Sequence, residues 1–114
     1  MVTETRKLST RERKILERMF SQLPGGSDDL RNQLKHAKVS TIDQDGSLRF
    51  LVNSVDRASG ISDRVPVTAI FDDKDGVPIY FLLHIVDGKL SELEVYKADG
   101  SRIITRPEPE KLYF

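Results

Sequence analysis

The sequence predicts an α+β fold: two N-terminal helices packed on one face of a five- to six-stranded antiparallel meander sheet. Two patterns predict it, and they occupy separate stretches. Before residue 39, apolar residues recur at helical spacing. After it, four Asp-Gly pairs (Asp45-Gly46, Asp75-Gly76, Asp87-Gly88 and Asp99-Gly100) cut the chain into strand-sized runs. A tight hairpin turn needs positive φ at both central residues, which Asp and Gly tolerate best. Helical and hairpin signals that do not interleave mark α+β rather than alternating α/β.

Residues 1–8 read as a frayed, charged lead-in. Ser9-Thr10-Arg11-Glu12 then offers a cap with Glu three positions on, the capping-box pattern. Ile15, Leu16, Met19, Phe20 and Leu23 form one apolar stripe behind it, and Pro24-Gly25-Gly26 stops the helix. Ser27-Asp28-Asp29 opens a second helix with acids in its first turn, where the helix dipole favours them. Leu30, Leu34 and Ala37 supply its stripe.

Strands are predicted over 39–43 and 47–54, followed by a longer loop over 55–63. A third strand spans 64–72, with Pro66 near its start, where an edge strand tolerates it. A fourth spans 77–86 and a fifth 89–97, joined at Asp87-Gly88; residues 102–105 could add a sixth. Arg106-Pro107-Glu108-Pro109 sets an extended tail whose Leu112, Tyr113 and Phe114 are expected to dock on the body.

A length of 114 residues predicts one domain, with the lead-in over 1–8, helices over 9–38, sheet over 39–105 and tail over 106–114. At 38% hydrophobic and 32% charged the chain is globular rather than disordered. It has no Cys, which excludes disulfides, Cys-type zinc sites and thiol nucleophiles, and fits a reducing cytoplasm. Residues 1–9 lack the apolar core of a signal peptide, and the longest apolar run, 79–86, is broken by His84. The expectation is a cytoplasmic protein that binds no membrane. The net charge is zero but unevenly spread: residues 1–38 hold nine Lys/Arg against five Asp/Glu, and the remainder nine against thirteen. That is a moderate dipole and not the basic stripe of a nucleic-acid binder.

Counting across a two-residue Asp87-Gly88 turn pairs His84 with Ser91, Leu82 with Leu93 and Tyr80 with Val95. On this count Tyr80, Leu82 and His84 share the helix-covered core face with Val67, Ala69 and Phe71. Glu92 and Glu94 fall on the other face, beside Ile79, Phe81, Leu83 and Ile85, with Tyr96 beyond. One reading covers that face with a curled strand or the 112–114 tail. Another leaves it open as an apolar, acid-rimmed surface for a partner. A ligand-holding half-barrel is a third.

The chemistry-bearing residues are few. His36 sits near the end of the second helix, where a cation is favourable. His84 faces Ser91 on this count, and Glu92 and Glu94 point away from it, so it reads as a structural histidine. Two histidines make a metal site only if folding brings carboxylates to them. Asp72, Asp73, Asp75 and Gly76 lack the length and closing Glu of a calcium loop. Gly25-Gly26-Ser27 has no phosphate-loop pattern around it. No catalytic residue, metal or cofactor is expected.

The segment Leu82-Leu83-His84-Ile85-Val86-Asp87-Gly88-Lys89-Leu90-Ser91-Glu92-Leu93-Glu94-Val95-Tyr96 reads as LLHxxDGxLxELExY, followed by Asp99-Gly100. With Leu8-Ser9-Thr10-Arg11-Glu12-Arg13-Lys14-Ile15-Leu16 as an LTxRExxIL-type helix, the chain resembles a group of small bacterial proteins of unknown function. Its size and acidic sheet also resemble, in architecture only, the immunity proteins that neutralise a cognate toxin.

The functional expectation is therefore a non-enzymatic binding module. Phe81, Leu83, Glu92, Glu94, Tyr96, Asp73, Asp75 and Asp87 would meet a toxin or other protein with a basic surface. The alternative is an enzyme or small-ligand binder with a pocket between helices and sheet at His84, Ser91 and Tyr80. A homodimer through the Phe81 face is the third possibility.

Overall fold

The first helix begins where its cap is written. In the computed structural model, which describes residues 4–53 and 57–114, α1 spans Thr10–Phe20. The Ser9 hydroxyl accepts from the Glu12 N–H at 3.1 Å, and the Glu12 carboxylate accepts from the Ser9 N–H at 2.8 Å, a closed capping box. Helix α2 spans Ser27–His36 behind Gly26, whose φ of 80° makes the sharp entry. Residues 54–56, where the predicted second strand ends and the predicted loop begins, lie outside the described residues, as do 1–3 of the lead-in. From Arg6 onward the lead-in is tied down, because Arg6 and Val39 exchange two backbone hydrogen bonds of 2.8 Å.

Among the described residues five strands follow: β1 Lys38–Thr41, β2 Leu48–Leu51, β3 Val67–Asp72, β4 Pro78–Val86 and β5 Lys89–Lys97. With two helices and one antiparallel sheet the chain is α+β, as expected. The sheet order is β1-β2-β5-β4-β3, so the strands do not follow one another as a single meander. Strands β3, β4 and β5 form a meander, and the β1–β2 hairpin joins it at β5. Among the described residues, Leu48–Leu93 and Arg49–Glu92 are the pairs in that seam. Buried Ser47 extends it, its hydroxyl accepting from the Val95 N–H at 2.9 Å and donating to the Val95 carbonyl at 3.1 Å.

The face assignment read from the sequence is reversed. Phe81, Leu83, Ile79 and Ile85 are all no more than 4% exposed and form the core with Ile15, Leu16, Met19, Phe20, Leu30 and Leu34 of the helices. Tyr80, Leu82 and His84 look out on the side without helices. The cause is a β-bulge. Asp87 and Gly88 make the expected turn, with φ of 52° and 73°, and Val86 pairs with Lys89 and Ile85 with Leu90. His84 then pairs with Glu92 and Leu83 with Leu93, which leaves Ser91 as an extra residue.

Leu90 and Leu93 lie three apart, so no unbroken period of two can bury both. With the bulge, both are buried, at 3% and 2%. Strand β4 carries large apolar residues on both faces, but the two faces are not equal. The face that turns inward is the one without a hydroxyl or imidazole to satisfy. The β3–β4 connection is also one residue longer than the two-residue count, pairing Asp72 with Pro78 and Ala69 with Phe81.

No described residues form a sixth strand at 102–105. The segment is instead a strap held by Asp73, which accepts from the Ile104 and Thr105 N–H groups, each at 2.8 Å. Further on, Arg18 donates to the carbonyls of Pro109 and Leu112 at 2.9 and 3.0 Å, and its guanidinium lies 5.6 Å from the Phe114 ring centre. Tyr113 and Ile70 then exchange two backbone hydrogen bonds, of 2.8 and 2.9 Å. No described helix is long and apolar enough to cross a membrane.

Candidate functional site

The helix-free face of the sheet carries the densest set of chemically capable side chains. Its aromatic end is the cross-strand pair Tyr80–Tyr96, with ring centres 5.4 Å apart, flanked by Ile70 on β3. Tyr96 keeps 39% of its surface exposed, far more than a core tyrosine would. Its charged end is built by the bulge, which sets Glu94 opposite Leu82 and Glu92 opposite His84.

His84 Nε2 lies 2.9 Å from Glu94 Oε1, and Arg64 Nε donates to His84 Nδ1 at 3.4 Å. Arginine can only donate, so Nδ1 accepts and the ring hydrogen sits on Nε2, pointing at the carboxylate. The Glu92 carboxylate makes no side-chain hydrogen bond or ion pair among the described residues, although Arg49 stands directly opposite it on β2. One ligand-capable atom from each of His84, Glu92 and Glu94 lies within 4.8 Å of the other two.

The residues expected to meet a partner therefore divide. Glu92, Glu94 and Tyr96 share this face, and Asp87 is exposed at the hairpin tip. Phe81 and Leu83 do not belong with them, being 2% and 0% exposed beneath the helices. A homodimer through the Phe81 face would need those helices removed.

Asp73 is internal as well. It and Lys97 have side chains with no exposed surface, joined at 2.9 Å, and Asp75 closes the cluster on Lys97 at 2.7 Å. Burial works to raise the Asp73 pKa. Hydrogen bonds from the Ile104 N–H, the Lys97 ammonium and the Thr105 and Lys74 N–H groups outweigh it and hold the carboxyl well below the usual range. Burial likewise opposes the Lys97 charge, and hydrogen bonds to Asp75 and Asp73 more than offset it, leaving the pKa raised. These three residues fasten the strap and are committed to one another.

The alternative pocket fails on placement, since His84 lies across the sheet from the helices. A concavity between α1 and the sheet is a cleft of about 40 Å³ reaching Ile15, Leu48, Phe81 and Leu93. It opens near a broader groove of about 550 Å³ bordered by Arg6, Arg11, Asp45 and Arg106. Sequence reasoning missed the His84–Glu92–Glu94 grouping because it counted straight through Ser91. The Leu90–Leu93 spacing was the available signal.

No curated protein and no solved structure matches the chain. Residues 5–107 match the family model described as Domain of unknown function (DUF6984), a span that includes both helices and all five strands. The chain belongs to that family of unknown function.

Proposed function

We propose that this protein is a non-enzymatic binding module that presents the helix-free sheet face to another protein with a basic surface. The observation that carries this reading is the half-exposed Tyr80–Tyr96 pair lying beside Glu92 and Glu94. Tyrosines on a rigid sheet supply contact area at little entropic cost and are enriched at interface hot spots. Asp87, Glu92 and Glu94 favour approach of basic groups. Arg49 and Arg64 flank these acids, so the steering is short-ranged and the tyrosines supply the affinity. An immunity protein capping a toxin is the specific form of this reading, with the toxin as the basic partner.

A photo-crosslinking residue placed at Tyr96, and as a control at exposed Lys14 on the outer face of α1, tests it. A partner captured from the native host through position 96 and not through 14 is the expected result. With that partner purified, Tyr96→Ala should weaken binding roughly tenfold or more, about 1.4 kcal/mol or above. Crosslinking only through position 14, or unchanged affinity of the Tyr96→Ala variant, would overturn the proposal.

A further inference from the structure

We infer that His84, Glu92 and Glu94 form a binding site for a divalent transition metal of the zinc class. Three observations carry it. The first is geometric: the three ligand-capable atoms lie within 4.8 Å of one another, on two long strands paired from Ile79 to Val86 with the bulge at Ser91 between. Bond lengths near 2.0–2.2 Å would bring such atoms to roughly 3.5 Å apart, so small side-chain rotations suffice to close around an ion.

The second observation concerns Glu92. Its carboxylate is directed towards a second carboxylate and a histidine instead of pairing with Arg49 across the β2–β5 seam. Two carboxylates gathered at one imidazole repel each other, and a cation among them reverses the sign of that interaction. The third is the bulge at Ser91. Without the extra residue, the register counted from the turn would put Glu92 and Glu94 on the face away from His84. Bulges re-aim side chains and are over-represented beside functional sites.

One imidazole and two carboxylates favour zinc-class metals over calcium or magnesium, which take oxygen ligands. Three protein ligands on a solvent-facing sheet leave a fourth position for water or another donor. On binding, Nε2 would release its hydrogen to become the ligand while Nδ1 becomes the N–H. Arg64 would then turn away from Nδ1, and its contact at 3.4 Å is already long. Arg49 and Arg64 weaken the attraction for a cation, so affinity should fall below that of closed structural zinc sites.

This inference stands apart from partner docking, although both use Glu92 and Glu94. The test is titration of the full chain, without any partner, by Zn²⁺ in calorimetry and by Co²⁺ in visible absorption. One equivalent should bind, with cobalt ligand-field bands and a shift of the His84 ring resonances in NMR spectra. His84→Gln should abolish the cobalt bands, and Glu92→Gln should lower affinity at least about tenfold. His36→Gln and Tyr96→Ala should leave binding unchanged. Both ligand positions are solvent-facing, and far-UV circular dichroism of each variant checks that it folds. No binding, binding that survives His84→Gln, or binding lost in His36→Gln overturns the site. Because Tyr96→Ala should impair docking alone, failure of one idea is read separately from failure of the other.

Discussion

Leu82 and Leu83 are adjacent, chemically identical and, in this fold, on opposite faces of β4. Leu83 is 0% exposed and backs onto Val67 and Leu93, whereas Leu82 is half-buried on the helix-free side. Replacing each in turn by alanine measures the face assignment directly. At position 83 the substitution removes an isopropyl group from a closed core, about 2.4 kcal/mol at ~0.8 kcal/mol per buried carbon. The cavity left behind raises the expected cost to about 3–4 kcal/mol. At position 82 the same atoms leave a half-wet surface and no closed cavity, so the cost is about 1 kcal/mol. Both variants make the same change in the unfolded chain, and that contribution cancels in the difference. Urea unfolding followed by far-UV circular dichroism should show equal slopes and a gap of roughly 2–3 kcal/mol. The melting temperatures should then differ by about 10 °C. Equal losses, or a larger loss at Leu82, would mean that β4 is turned the other way and that the bulge at Ser91 is absent.

Gly88→Ala should cost at least about 2 kcal/mol, because the left-handed backbone alone disfavours alanine by ~1–2 kcal/mol. Here the new Cβ would also lie 2.7 Å from the Ala58 carbonyl oxygen. Gly46→Ala, with open space around it, serves as the control, and thermal unfolding separates the two. Asp73→Asn addresses the buried charge cluster through pH. A carboxyl held below its ordinary range adds stability that is present above its unfolded pKa, near 3.9, and is lost as pH falls through the folded value. The variant should therefore be less stable than the parent at neutral pH, with the gap closing as pH drops below about 4. A gap that stays constant from neutral to acid pH contradicts the account of Asp73.

Local signals in the chain translated well into structure. Ser9 and Glu12 close the box that their spacing announces, and β5 runs over residues 89–97 as the Asp-Gly spacing requires. What stayed hidden depends on one-residue offsets and on distant partners. An extra residue at Ser91 inverts the strand, and a count carried straight through from the Asp87-Gly88 turn does not reveal it. The β2–β5 seam joins segments more than 40 residues apart, so nothing near β2 declares its neighbour. Lys97 looks like the wet end of a strand. Its burial becomes apparent only when Asp73, Asp75 and the Arg102 carbonyl are brought around it. The candidate site was legible as residue types and illegible as a constellation, since the same bulge decides whether Glu92 and Glu94 reach His84.

The single bridges Arg6–Val39 and Ile70–Tyr113 sit on the two outermost strands of the sheet. An open outer strand offers a row of unused amides and carbonyls to any extended chain that passes, including another copy of the same protein. Here each rim already holds a short length of the protein's own backbone at one point, which interrupts that row on both sides. Recognition by adding a strand is thereby discouraged, and the broad surface of the sheet is left as the approach. Displacing residues 112–114 from Ile70 would reopen one rim, and the first consequence to look for is self-association through β3.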